Sequence, residues 1–353
     1  MDDITKEADT EPLADVHFPY DEQPGAGTAI EVRPGIFWIA TPLPFKLKAI
    51  NLWALRDGDG WTLIDTGYGW SDTQDQLMKI WKECLDGAPI KRLIVTHFHP
   101  DHMGSSGWVE KTWGIHPHMT QSEWMASNLA IRQLASDDRD ARCFFYDRHG
   151  LDAKRLEIFR SGHVRYHLGV TLPENYYRIR NGDDIVINGN AWRVIVGEGH
   201  SPEHACLYCA ELGVMISGDQ VLTRITPNVS TSHFEPEGDQ LKGFLDTKAR
   251  LYKLIAADTY VLPAHKLPFT GVHKRLEELV HHHRERLQKI YDALDGEVSA
   301  GEVCTLLFPM DLDGHQMGFA MGETIAHLNY LVGDGRLRRI ENKDGTIRFR
   351  RTS

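Results

Sequence analysis

Short apolar runs with polar residues between them open the folded part of the chain. "GIFWIA", "INLWALR" and "WTLIDT" read as strands, because β-branched and aromatic residues cluster in them. "DGDG" joins the last two as a hairpin turn. The period then changes. "SDTQDQLMKIWKEC" places Leu77, Ile80, Trp81 and Cys84 on one helical face, with Ser71 or Asp72 as its cap. "KRLIVT" is a buried strand. From about 117 to 180, charge, histidine and aromatics mix, and the pattern predicts helices and loops inserted between two sheet-forming regions. Strands resume in "DIVINGNAWRVIVGEGHS", turning at "NGN", and in the hairpin "HACLYCAELGVMISGD". "GDQLKGFLDTKARLYKLI" is a helix with Leu241, Phe244, Leu245, Leu251 and Ile255 apolar, and "TYVLPAH" is a strand that ends in histidine. "HKRLEELVHHHRERLQKIYDAL" is a long amphipathic helix.

Residues 1–28 are polar and acidic up to "PGAG" and are expected to be a disordered tail. The last stretch, 296–353, reads as a small unit of its own. Ser299 and Glu302 fit a capping box, "GETIAHLNYLV" is a helix, and "RLRRIENKDGTIRFRR" is a hairpin turning at Asp344-Gly345. Helices followed by a hairpin suggest a winged helix. Alternating strands and helices over 29–295 indicate an α/β core.

The net charge of −11 weighs against general polyanion binding. The start of the chain lacks a basic segment followed by an apolar run, and no stretch has the ~20 apolar residues of a membrane span, so a cytoplasmic location is expected. The five cysteines are irregularly spaced, which argues against a disulfide framework. Cys206 and Cys209 of "CLYC" lie on a strand, where positions three apart face opposite sides, so they are read as core.

The candidate chemistry begins at residues 96–102, "THFHPDH". His97 and His99 point the same way in an extended segment, and Asp101 and His102 follow as the chain turns into a helix. Imidazole and carboxylate are ligands for zinc, iron or manganese. Seven residues cannot surround two ions, so further ligands must come from other strand ends. His200 in "GEGHS", Asp219 in "ISGD" and His265 in "LPAHK" stand at such ends.

This order of motifs, with "LIDTG" at 63–67 upstream, resembles the metallo-β-lactamase superfamily over residues 29–295. The resemblance implies a four-layer αβ/βα sandwich carrying two divalent metal ions, zinc in the first instance, with iron or manganese as alternatives. It assigns His97, His99 and His200 to one metal and Asp101, His102 and His265 to the other. Asp219 bridges the two, and Asp101 and Asp219 are the candidate catalytic carboxylates. The nucleophile it implies is a hydroxide between the ions. Asp65 is expected to orient a ligand histidine or hold its own turn, His204 to pack, and Glu198 to be a solvated loop residue. "PAHK" departs from the common "PGHG". Among other histidines, His283 is expected to pack and His281 and His282 to be solvated. His116, His118, His149, His163 and His167 are assigned mostly to the surface.

The tail resembles the C-terminal winged helix of a group of β-lactamase-like proteins that includes thioesterases and a single-strand endoribonuclease. Two enzyme readings follow. The favoured one is hydrolysis of a small ester or thioester, with Trp124, Phe144, Phe145, Tyr146 and Tyr166 available as pocket walls. The alternative is a nuclease that grips phosphates with Arg336, Arg338, Arg339, Lys343, Arg348, Arg350 and Arg351. A lactonase is a further alternative, weakened by Leu222 where such enzymes carry tyrosine. The expected partner is a small-molecule substrate rather than nucleic acid or membrane, and a homo-oligomer is compatible with the pattern.

Overall fold

A computed structural model describes residues 15–44, 47–134, 138–162 and 169–352. The first sheet runs, in spatial order, β1 (Ala29–Arg33), β2 (Ile36–Pro42), β3 (Ala49–Asp57), β4 (Gly60–Ile64), β5 (Ile90–Ile94), β6 (Pro117–Met119) and β7 (Tyr177–Arg178). The second runs from β8 (Asp184–Ile187) through β9 (Asn190–Gly197), β10 (His204–Cys209) and β11 (Val214–Gly218) to β12 (Tyr260–Pro263). The helices that matter here are α1 (Ser71–Glu83), α2 (Pro100–Met103), α3 (Ser106–Trp113), α4 (Gln121–Leu134), α5 (Asp138–Arg148), α6 (Ala153–Ser161), α7 (Gln240–Leu254) and α8 (Val272–Ala293). After them come α9 (Ala300–Leu307), α10 (Gly314–Gly333) and the hairpin of β13 (Leu337–Glu341) with β14 (Ile347–Arg351).

Strand alternation builds the layers. On β3, Trp53 and Leu55 face the second sheet, while Ile50, Leu52 and Ala54 face α1 and α3. On β10, Ala205, Leu207 and Cys209 face the first sheet, and Cys206 faces α7 and α8. Two sheets thus share an inner core containing Trp38, Trp53 and Trp192, and each outer face is covered by helices. This is the αβ/βα sandwich. The two cysteines of "CLYC" are buried on opposite faces, and burial pushes the Cys206 thiol up to about 12. No helix among the described residues is long and apolar enough to cross a membrane.

Several expectations are corrected. Residues 15–28 are not a free tail. His17 bridges Thr270, Val16 is buried beside α8, Tyr20 packs edge-on to Trp38 at 5.6 Å, and Gln23 donates to Asn51 at 2.7 Å. Residues 1–14 lie outside the described residues. The first residue before α1 is Trp70, which makes no side-chain cap; its indole N–H instead donates to Thr73 at 2.8 Å. The stretch 117–180 is not wholly helical, because β6 extends the first sheet in parallel with β5. Phe145 and Tyr146 are core residues, packed with Phe159 and the C-terminal helices, and are not pocket walls. Trp124 stacks on Tyr176 at 4.7 Å and Phe144 is exposed, while Tyr166 lies outside the described residues. His149 is buried against Phe145 and Phe349, since its Nδ1 meets the Phe145 carbonyl at 2.7 Å. His282 is half-buried rather than solvated, and His163 and His167 lie outside the described residues. His283 packs as expected, and Glu198 is exposed.

The C-terminal helices do not form a separate core. Met317, Ala320, Met321, Ile325 and Leu328 of α10 share one cluster with Phe159 of α6, Phe244 of α7 and Ile290 of α8. Both halves of the Ser299–Glu302 capping box are formed, and a second box, Asp313 with Gln316, starts α10 well before the apolar run that signals it in the sequence.

Candidate metal centre

Each candidate ligand follows the C-terminal end of a strand: His97 and His99 after β5, His200 after β9, Asp219 after β11 and His265 after β12. Pro100 occupies the first turn of α2 and starts it directly after His99, so Asp101 and His102 project from that turn. His97, His99, His200 and Asp219 form one converging group, and Asp101, His102 and His265 form another. In the first, His97 Nε2 lies 2.9 Å from His99 Nδ1 and 3.3 Å from His200 Nε2. In the second, His265 Nε2 lies 3.3 Å from Asp101 Oδ2 and His102 Nε2 lies 3.8 Å from it. Asp219 touches both groups, with Oδ2 3.4 Å from His200 Nε2 and 3.6 Å from His102 Nε2, and Oδ1 3.6 Å from His265 Nε2.

The outward nitrogens fix the inward ones. His102 Nδ1 meets Asp65 at 2.8 Å, His200 Nδ1 the Asn228 carbonyl at 2.8 Å, and His265 Nδ1 the Ala49 carbonyl at 3.2 Å. Each of these partners is an acceptor, so each Nδ1 holds a proton and Nε2 is the nitrogen left to face the centre. The donor set fits divalent cations on a further ground. His102 Nε2, His265 Nε2 and Asp219 Oδ1 are buried and have no hydrogen-bond partner. Buried polar atoms are ordinarily paired, and these three stand within the two converging groups, as the donor atoms of a metal site would.

Electrostatics divides the groups. Burial drives the His97 imidazole well below its ordinary value and His99 down to about 3, with neighbouring imidazoles adding to the effect. Both are neutral lone-pair donors. In the other group burial also works to lower His102 and His265, but Asp219 and Asp101 outweigh it and hold both imidazoles above their ordinary range. Burial pushes the Asp101 carboxyl up, yet His102 and His265 hold it at about 2, and the same pair keeps Asp219 well below the carboxylate range.

The supporting residues are specific. Asp65 meets His102, and its other bonds run just past the end of β5 rather than to its own turn: its Oδ1 accepts from the Thr96 N–H at 2.7 Å, and its Oδ2 accepts from the Thr96 hydroxyl at 2.8 Å. His204 does more than pack, because its Nε2 accepts the Asp219 N–H at 3.0 Å. Gly218 has φ +50°, and a Cβ there would stand 2.5 Å from that imidazole. Lys266, in "PAHK", takes φ +67°, the left-handed conformation that explains why glycine is common at this position.

Residues the motifs do not signal also hold the site. Glu123 on α4 is fully buried and is reached only by donors: Phe98 N–H at 2.9 Å, Ser201 hydroxyl at 2.6 Å and Glu203 N–H at 2.8 Å. It ties the His97–His99 segment to the His200 loop. Burial raises its pKa against the pull of those donors. Asn51 on β3 donates to the carbonyls of Pro263 and Lys266, each at 2.8 Å, and so brackets the turn carrying His265.

Known proteins are similar to this chain. Residues 46–265 match the model of the metallo-beta-lactamase superfamily, and residues 287–352 match that of the metallo-beta-lactamase-like C-terminal domain. A crystal structure of a beta-lactamase domain protein from Burkholderia ambifaria is 40% identical, with TM-score 0.88 over 96% of this chain and 99% of that one. A metallo-beta-lactamase family protein from Thermus thermophilus is 29% identical, with TM-score 0.77 over 91% of this chain and 100% of that one. Acyl-coenzyme A thioesterase MBLAC2 of Gallus gallus is 27% identical over 190 residues, 53% of this chain and 63% of the thioesterase. With the family model spanning more than half its length, and with both converging ligand groups at the strand ends, the chain belongs to the metallo-beta-lactamase superfamily.

Proposed function

We propose that the protein is a dinuclear metal hydrolase of a small ester or thioester. His97, His99 and His200 would hold one cation and Asp101, His102 and His265 the other, with Asp219 placed beside both groups. The observation that carries this is the convergence of two groups of candidate ligands joined by Asp219, with buried His102 Nε2, His265 Nε2 and Asp219 Oδ1 left without hydrogen-bond partners among them. Zinc suits imidazole-rich ligation, and iron and manganese are the competitors. When bound, such a pair of cations acidifies water and neutralises the charge that builds on an attacked carbonyl. The chain's own part is to fix the lone pairs through Asp65, Asn228 and Ala49, and to keep Asp101 and Asp219 ionised. Neither carboxylate is then a proton donor near neutral pH. Tyr68 is buried close enough to Asp101 to feel its charge, and burial together with that charge raises its phenol, so it stays protonated and can donate.

A thioester is favoured by the similarity to an acyl-coenzyme A thioesterase. The ribonuclease reading loses support at the basic hairpin. Arg339 pairs with Glu237 and Glu341, Arg348 with Glu302, and Arg350 with Glu297, while Arg336 and Arg351 lie over Tyr291. Five of the seven cations are thus engaged within the chain, which leaves the exposed Arg338 and Lys343 as a small phosphate grip. The test compares wild type and His99→Ala on acyl thioesters, simple esters, lactones and single-stranded RNA, with and without chelator. Thioester or ester cleavage lost with both the variant and the chelator is expected. Metal-dependent RNA cleavage without thioester or ester turnover would reverse the assignment.

A further inference from the structure

The acceptor that orients His200 is not part of the catalytic sheets. It is the carbonyl of Asn228, in the segment between β11 and α7. That segment leans on α10. Thr231 N–H donates to the Gly322 carbonyl at 3.0 Å, and the Asn329 side-chain amide donates to the carbonyls of Pro236 at 3.1 Å and Gly238 at 3.0 Å. The Ser230 hydroxyl donates to Asn228 Oδ1 at 2.5 Å. A Cβ on Gly322 would stand 2.7 Å from Ser230 Oγ and 2.8 Å from Ser230 Cβ. Gly322 lies within α10 and is not among the glycines of positive φ, so its requirement is space rather than backbone conformation.

Helix α10 is in turn fixed to α8. Arg286 pairs with Glu323, and the His283 and His327 rings meet at 3.1 Å. His283, Glu323 and His327 converge closely enough to resemble a metal site. Hydrogen bonding explains the cluster better. His327 Nδ1 donates to the Glu323 carbonyl at 2.8 Å, which leaves Nε2 as the acceptor for the His283 Nδ1–H. The Glu323 carboxylate is already matched by Arg286, so a dication would meet a guanidinium without a free counter-charge. The cluster is an anchor for the helix, and α10 transmits that anchorage to the 228–239 segment.

We propose that Gly322 and Ser230 are positioning residues for the first metal position, through which α10 sets the Asn228 carbonyl and hence the direction of His200. The proposal rests on His200 being a metal ligand. It assigns the C-terminal helices a part in metal affinity, in addition to whatever they do for substrate.

The test uses the full chain, stripped of metal and titrated with Zn²⁺ against a chromophoric chelator, with thermal unfolding of each metal-free variant as a second readout. Gly322→Ala should weaken one of the two zinc equivalents by about 10- to 100-fold, the usual effect of disturbing a ligand's hydrogen-bond partner. Gly318→Ala is the control on the same helix, because its Cβ would meet Phe159, 3.0 Å away, and not the 228–239 segment. It should keep both affinities even if it lowers the unfolding temperature. Ser230→Ala adds no volume and removes only the bond to Asn228; it should weaken the same equivalent about fivefold, and it serves if Gly322→Ala does not fold. Combining Gly322→Ala with Ser230→Gly removes both Ser230 atoms the new methyl would meet and should bring the loss back to the roughly fivefold of Ser230→Ala. Unchanged affinities in Gly322→Ala and Ser230→Ala, with His200→Ala losing one equivalent, would overturn the proposal alone. Unchanged affinities in His200→Ala as well would remove the ligand reading beneath it.

Discussion

Replacing Glu123 by glutamine changes one atom and no volume, yet it should loosen the first metal position. Three donors converge on this carboxylate, two on Oε1 and one on Oε2. Glutamine offers only one acceptor oxygen. With that oxygen in the Oε1 place, it still serves the Ser201 hydroxyl and the Glu203 N–H, and the new NH₂ faces the Phe98 N–H. The opposite orientation is worse, because the Glu203 N–H cannot turn away. The Phe98 amide, between His97 and His99, therefore loses its bond to this side chain. Removing that bond costs about 1–3 kcal/mol. If the His97–His99 segment moves to relieve it, the metal affinity of that position falls by about 5- to 150-fold. Global stability should fall less than this figure suggests. The folded pKa of Glu123 is raised, so its protonated form is favoured below the unfolded value of 4.5, and that contribution is lost as pH rises through the folded value. Glutamine lacks this ionisation cost at neutral pH. The assay is chelator competition for zinc alongside denaturant unfolding of metal-free protein. Two zinc affinities within a factor of about two of wild type would show that Glu123 does not hold the ligand loops, whatever the variant's stability.

Loading the stripped protein with zinc at pH 7 should release protons, because His102 and His265 are held above their ordinary value by Asp219 and Asp101. The imidazolium contribution to metal-free stability is fully present below 6.5 and is lost as pH rises through the raised values. Calorimetry in buffers of different ionisation enthalpy counts the protons, and a count near zero at pH 7 that does not rise on acidification would contradict it. Asp219→Ala should cost at least one metal equivalent and nearly all turnover, since this side chain contacts both groups; elemental analysis that returns two metals per chain in an active variant would remove the bridging role. Gly218→Ala should destabilise by about 2–5 kcal/mol from overpacking and left-handed backbone strain, read by urea unfolding, because its Cβ would stand 2.5 Å from the His204 ring.

The candidate ligands are legible in the sequence because each is tied to a strand end by a few neighbouring residues. A strand period followed by "HFHPDH", "GHS", "SGD" or "PAH" carries its own local geometry. The sandwich is legible for the same reason, since alternation on β3 and β10 states which side chains face which layer. The misreadings arise where polarity misleads about burial. Residues 15–28 look like a tail, yet Val16, Phe18 and Tyr20 are spaced to lie along the sandwich. His149, Phe145 and Tyr146 sit in a highly charged stretch, and their burial depends on helices more than 140 residues later, which no local period encodes.

What cannot be read at all are the residues that hold the ligand loops through backbone atoms. Glu123 reaches the amides of Phe98 and Glu203, Asn51 reaches the carbonyls of Pro263 and Lys266, and Gly322 gives way to Ser230. A backbone amide or carbonyl has no residue type, so the partner it requires leaves no pattern at either end of the contact. These three supports come from α4, β3 and α10, one from each major portion of the chain. The candidate metal ligands are therefore aimed by parts of the protein that share no motif with them. Relatives with the same ligands but a different insertion or C-terminal region should then differ in metal affinity at the first position more than at the second. His102 is aimed by Asp65 and His265 by Ala49, both within the first sheet and its loops, whereas the His200 acceptor rests against α10.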